Sequence, residues 1–258
     1  MSKLNSKIFE NKINLIKKNM TFGIEIEGNY NMDKVAFDQN DIESYHSGGE
    51  FYILDFFKVE NDSSIKGYFF DNNAGVEVIT KPIEYNDINV LFSKLKELLN
   101  IKDYMGGSIQ FNSSTGAHMH ISLNNTHFIK KICDYKVSKE IETEIFKFLE
   151  NYSFAYSEVK NNFFRDYAKK LTPNNVEQRY VSINTSGNNN PTIEIRSINF
   201  NGVISLIQMY FLVKNVLDIM AYVLAKYMIK NSISKTQTLY IEKNITTNKT
   251  IKEQIIIK

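Results

Sequence analysis

Four short segments of this chain alternate charged or imidazole side chains with small or apolar ones at a period of two. That spacing presents them to one side only on an extended strand. The segments are Phe22-Gly23-Ile24-Glu25-Ile26-Glu27-Gly28, Gly75-Val76-Glu77-Val78, Thr115-Gly116-Ala117-His118-Met119-His120-Ile121-Ser122 and Thr192-Ile193-Glu194-Ile195-Arg196. On strands, Glu25 and Glu27 share a face, as do His118 with His120 and Glu194 with Arg196. Phe22, Ile24 and Ile26 occupy the opposite face of the first segment, which is therefore half-buried, its polar side turned to solvent or to a cavity. Glutamates gathered on such a surface repel one another unless they are protonated or bridged by a cation. Hard divalent ions such as Mg²⁺ take oxygen ligands of this kind. A metal site is the economical reading.

At 258 residues and 30.0 kDa the chain is long enough for a substantial core in one domain. Its 31 basic and 29 acidic residues nearly cancel, so the total charge demands neither nucleic acid nor an anionic membrane as partner. The single cysteine, Cys133, has no partner for a disulfide or a zinc knuckle and fits a reducing compartment. No secretory pattern opens the chain, and a cytoplasmic location is the expectation. Residues 203–229 are apolar over a membrane-spanning length, but Lys214, Asn215 and Asp218 near the middle favour a core helix.

Helical spacing of Ile8, Phe9, Ile13 and Ile16 marks a weak helix in residues 1–20, an extension preceding the main domain. Strands are expected over 21–30, 51–60, 68–70 and 76–80, with a long polar loop over 33–50. Asp87 caps the clearest amphipathic helix, with Ile88, Leu91, Phe92, Leu95, Leu98 and Leu99 on one face. Residues 108–123 read as a strand pair, 138–169 as helical, and 179–184 with 191–199 as a hairpin across an asparagine-rich turn. A helix over 203–230 closes the domain, which spans 21–230. The polar tail 231–258 carries two strand-like stretches, 238–241 and 254–257. Strands mixed with helices without a βαβ rhythm indicate α+β with an antiparallel sheet.

Each candidate has a bland reading. Glu25 and Glu27 fit an exposed strand edge, and Glu194 with Arg196 a surface ion pair of little worth. Asp62 fits turn chemistry. Histidines two apart also occur in zinc hydrolases, but His46 and His127 supply no convincing third imidazole. One of His118 and His120 is better assigned to a metal and the other to a nucleotide or phosphate. Beside an anionic substrate, Arg196 offers a planar fork, with Arg179 and Arg165 as further cations.

In this order, the pieces 22–27, 62–65, 77–82, 116–120, 179–184 and 192–196 resemble the amidoligase family, a branch of the carboxylate-amine ligases. That family shares the glutamine synthetase and glutamate–cysteine ligase fold. Gly116 to Ser122 is also similar to the Gly-Met-His-x-His-x-Ser segment of glutamine synthetases, and Ile193 to Arg196 to their Glu-x-Arg strand. The resemblance covers roughly residues 20–202. It implies a curved antiparallel sheet with helices on one face. It further implies Glu25, Glu27, Glu77, His118 and Glu194 as ligands to Mg²⁺ or Mn²⁺, with His120 at the phosphates of ATP. Arg196 and Arg179 would hold the substrate carboxylate or the transferring phosphoryl group, and in the reaction so implied Asp62 could take the amine proton. The implied reaction joins a small-molecule or peptide carboxylate to an amine through an acyl phosphate. A metal-dependent amide hydrolase and a catalytically silent binding protein are the alternatives. Substrate identity and oligomeric state stay open.

Overall fold

Strand β1, Met20–Asn31, is the axis of the protein. Its even positions Met20, Phe22, Ile24 and Ile26 are buried in the core, while Thr21, Gly23, Glu25 and Glu27 face the other way and stay partly accessible. The structure is a computed structural model that describes residues 3–45, 48–66, 72–100, 105–112, 114–123, 135–151, 168–175, 178, 181–185, 192–198, 200, 203 and 205–247.

Among the described residues the sheet has nine strands. β2 is Ile42–Glu43, β3 Phe57–Asn61, β4 Asn73–Thr80 and β5 Ile83–Glu84. β6 is Ile109–Gln110, β7 Ala117–Leu123, β8 Ile183–Asn184 and β9 Ile193–Ile198. The order is β2-β3-β4-β1-β7-β9-β8, antiparallel throughout except for the β2–β3 pair. β4 and then β5 line one edge of β1, β6 and then β7 the other. The fold is α+β with a mostly antiparallel sheet.

Residues 108–123 therefore form no hairpin: β6 and β7 lie end to end, both bonded to β1, with a turn between them closed by the Asn112 amide on Thr115 Oγ1 at 2.9 Å. Close packing at this junction explains one glycine. A Cβ on Gly28 would come within 2.8 Å of Ile109 Cδ1, so a larger residue there requires the Ile109 side chain to move.

Helices α1, Lys3–Lys18, α2, Ile88–Leu98, α3, Tyr135–Asn151, and α4, Leu206–Thr247, supply the rest of the core. Phe9, Ile13 and Ile16 of α1 turn inward; Ile8 and Leu15 stay exposed. In α2 the expected face is buried, although Asp87 caps through position alone, without a side-chain hydrogen bond. The stretch Leu206–Lys230 is long and apolar enough to cross a membrane by length and composition. Its residues Met209, Leu212, Val213, Val216, Leu217, Met220 and Leu224 are instead fully buried against the protein core. Each such side chain is worth about 1.5–3 kcal/mol. Near the middle, Asp218 binds Lys17 of α1 at 2.7 Å and Lys214 at 2.9 Å, and Lys214 also meets the Tyr85 hydroxyl at 2.6 Å. The Phe9 and Tyr222 rings meet edge-on at 5.2 Å, completing the α1–α4 contact.

Several expectations are corrected. Helix α4 continues past 230 to Thr247, so 238–241 is helical and no strand. Elongating an established helix is cheap, whereas the strand preference of Thr and Ile depends on a sheet to join. Of residues 51–60, only 57–60 lie in a full strand, which runs on to Asn61. Leu54 and Asp55 have φ of 53° and 54°, which folds the chain back so that the Phe57 amide bonds the Ile53 carbonyl at 2.9 Å. The expected loop over 33–50 contains the short strand β2. The helical expectation over 138–169 is met to Asn151. At its far end Lys169 is not helical but pairs with Val181 in a parallel β-bridge, while residues 152–167, the strand expectations over 68–70 and 254–257, and the asparagine-rich turn lie outside the described residues.

Candidate metal centre

Pairing register, which no local pattern encodes, sets the centre. Glu25 stands opposite His118 across the β1–β7 ladder, and Glu27 opposite Glu77 across β1–β4. One strand further out on each side, Glu60 stands opposite Glu77 and Glu194 opposite His120. The polar face of the sheet thus carries a continuous row of carboxylates and imidazoles from β3 to β9. Between Ala117 and Met119 the β7–β9 register shifts, leaving an extra residue on β9 at Arg196–Ser197. Bulges of this kind re-aim side chains.

The side chains converge. His118 Nδ1 lies 3.0 Å from Glu25 Oε2 and 3.9 Å from Glu194 Oε1, while its Nε2 lies 3.7 Å from Glu27 Oε1. Ligand atoms of Glu25, His118 and Glu194 fall within 4.8 Å of one another, and so do those of Glu27, Glu77 and His118. All the residues assigned to metal are therefore brought together, as two adjoining groups that share one imidazole. His120 Nε2 is 2.9 Å from Glu25 Oε1, so both imidazoles meet the same carboxylate. Glu194 is held from both ends, by Asn184 Nδ2 on Oε2 at 2.9 Å and by Arg196 on Oε1.

Asp62 sits at a turn beyond β3, its Oδ1 taking the Ser64 amide at 2.8 Å, close enough for its charge to act on Glu77. The turn assigned from sequence is present, and the carboxylate is also near the cluster. Arg179 and Arg165 lie outside the described residues. Two neighbours were not singled out in the sequence. Glu60 is fully buried and bonded to Lys58 Nζ at 2.7 Å, and Asn184 orients Glu194. Apolar Phe57 and Val59 flanking Lys58 and Glu60 give a strand pattern, but placing Glu60 beside Glu77 requires the register.

Electrostatics separate these carboxyls. Burial alone would raise Glu25, but hydrogen bonds from His118 and His120 hold it well below the usual range. Glu77 is pushed up to about 9, first by burial and then by the charges of Glu25 and Glu27. Burial would lower His120, but Glu25 raises it. Carboxylates crowded until one must stay protonated form a donor set short of positive charge, and oxygen-rich with one shared imidazole it fits Mg²⁺ or Mn²⁺.

A cleft of about 450 Å³ opens beside the cluster on the polar face, with Thr21, Gly23 and Glu25 of β1 along its floor. Lys58, Glu60 and Glu77 wall one side, and His120, Ser122 and Thr192 the other.

No protein-family model matches the chain, and no curated protein does. Among solved structures it is similar to Plasmodium falciparum glutamine synthetase at 15% identity and a TM-score of 0.42, covering 85% of this chain and 55% of that one. A bifunctional glutathione synthetase from Pasteurella multocida aligns at 12% identity and a TM-score of 0.36, covering 85% and 42%. The chain spans about half the length of these structures. Likeness at this level assigns no activity, and the resemblance to amidoligases stands on its motifs.

Proposed function

We propose that the chain is an ATP-dependent carboxylate-amine ligase working on a divalent-cation cluster. The observation that carries this reading is the convergence of Glu25, Glu27, Glu77, His118 and Glu194 from four strands into two adjoining clusters, beside a cleft that Glu25 and Glu77 line. Those are the residues to which the amidoligase resemblance gives the metal. Glu25 and Glu194 with His118 Nδ1 would hold one ion, and Glu27 and Glu77 on the Nε2 side a second. Bound there, such ions supply the positive charge that lets two anions approach.

A free carboxylate is a poor acylating agent because oxide would have to leave. In the proposed reaction, a carboxylate oxygen of the substrate bonds the γ-phosphorus of ATP as the bond to the β-phosphate oxygen breaks, releasing ADP. The amine nitrogen then bonds the acyl carbon, phosphate leaves, and the nitrogen loses a proton. The chain's own contribution is placement and charge. Arg196, with its guanidinium fixed against Glu194, faces the substrate carboxylate or the moving phosphoryl group. His120 faces the phosphates, Arg179 assists as the resemblance implies with Arg165 as a further cation, and Asp62 accepts the amine proton. No protein nucleophile is needed.

The test is phosphate release from ATP and Mg²⁺ over a panel of carboxylates and amines, with nucleotide binding measured by calorimetry. The proposal expects release that requires both co-substrates and disappears in Glu25→Gln and Glu27→Gln. Absence of nucleotide binding would sink it, and cleavage of an amide or ester without ATP would select hydrolysis.

A further inference from the structure

Helix α3 carries a carboxylate inside its apolar stripe. Glu142 stands among Val137, Ile141, Ile145 and Leu149 and is as buried as they are. A buried charge is costly unless it is bonded, and this one is fully engaged. Oε1 accepts the Leu171 amide at 2.7 Å and the Ser182 hydroxyl, and Oε2 accepts Lys139 Nζ. Lys139 in turn reaches the Leu171 carbonyl at 3.0 Å.

The segment tied down in this way is the bend that launches β8. The Ser182 amide bonds the Lys169 carbonyl at 2.9 Å, and the Ser182 carbonyl receives the Arg196 amide at 2.9 Å. Two residues on, Asn184 grips Glu194 Oε2. A strand of two residues cannot fix its own register, and a slip of one would turn Asn184 to the opposite face. With Oε2 occupied, the remaining oxygen of Glu194 points toward Arg196 and His118.

We infer that Glu142 is a positioning residue for Glu194, acting through Ser182 and Asn184 from outside the cleft; this rests on the cation site proposed above. The experiment titrates the metal-free full chain with Mn²⁺, reading free Mn²⁺ by electron paramagnetic resonance, beside thermal melts of each variant. Glu142→Gln and Asn184→Ala are each expected to weaken one class of Mn²⁺ site roughly tenfold and spare the other. The double variant should bind no worse than Asn184→Ala alone, because both changes act on one route. Leu149→Ala, which damages the same helix without touching the network, should lower the melting temperature and leave both affinities unchanged.

Wild-type affinities in Glu142→Gln, losses matched by Leu149→Ala, or independent losses in the double variant would overturn the inference. If Glu142→Gln does not fold, Ser182→Ala removes only the linking hydroxyl. A several-fold selective loss there supports the inference, and unchanged binding overturns it. Wild-type protein without saturable Mn²⁺ sites would remove the cation site itself, a failure distinct from the others.

Discussion

Two charged clusters sit on opposite sides of this sheet's core, and they are balanced differently. Where α1 meets α4, Lys17, Lys214, Tyr85 and Asp218 satisfy one another. Burial opposes each charge, yet Asp218 is lowered by Lys17, Tyr85 and Lys214, while both lysines are raised by Asp218 and Tyr85. On the polar face the carboxylates crowd one another, and burial with the charges of Glu25 and Glu27 drives Glu77 to about 9. A self-neutralising cluster is a latch, whereas crowded carboxylates are the setting in which the proposed divalent cations would be held.

Removing carboxylates should therefore act in opposite ways at the two places. Glu27→Gln combined with Glu77→Gln should cut ATP-dependent phosphate release roughly a thousandfold, the scale of losing an aligned electrostatic group. The metal-free protein should be as stable as wild type or more so. Steady-state assays beside chemical denaturation check both halves. Large destabilisation of the metal-free variant would show that the cluster is structural after all.

A saturating divalent cation should stabilise the wild-type protein by about 2.7 kcal/mol at a concentration a hundred times Kd. For a chain of this size that is a rise of roughly 5–10 °C in Tm. The rise should vanish in the double variant and persist in Asp218→Asn. Differential scanning calorimetry with and without Mg²⁺ reads it.

Asp218→Asn itself should cost about 0.5–1 kcal/mol, since these groups are partly exposed and solvent screens them. Mn²⁺ affinity should not change. A shifted affinity would mean that the latch and the cleft are coupled.

The pH profiles should separate the clusters by smaller amounts. Asp218 is lowered on folding, so its contribution is full above its ordinary value of 3.8 and fades as pH falls through the lowered one. Lys17 and Lys214 are raised, so theirs is full below 10.5 and fades as pH climbs through the raised values. Glu77 runs the other way for a carboxyl. Because the folded protein keeps its proton longer than the unfolded chain, metal-free stability should decline as pH rises from 4.5 toward about 9. Denaturant midpoints across pH for wild type, Asp218→Asn and Glu77→Gln check the signs.

Period-two alternation was enough to place Glu25, Glu27, Glu77, His118 and Glu194 on one side of their strands, because side-chain direction is a local property. Their neighbours were not legible in the same way. Glu60 joins the row only through the β3–β4 register, and Glu142 only through a bend in a distant segment, so nothing within a few residues of either announces its role. The helical face of α2 was plain from its leucines. The length of α4 was not, since residues after 230 extend an established helix and have no stripe of their own to show it. The turn at Leu54–Asp55 was hidden by the apolar residues on both sides, which read as one strand.

The most direct test of the central claim is calorimetric titration of metal-free protein with Mn²⁺ near pH 7.5, in two buffers of different ionisation enthalpy. The account predicts saturable binding with release of a proton, because a cation entering the cluster must displace the one that Glu77 holds. No saturable binding, or the same isotherm from the Glu27→Gln, Glu77→Gln variant, would contradict it.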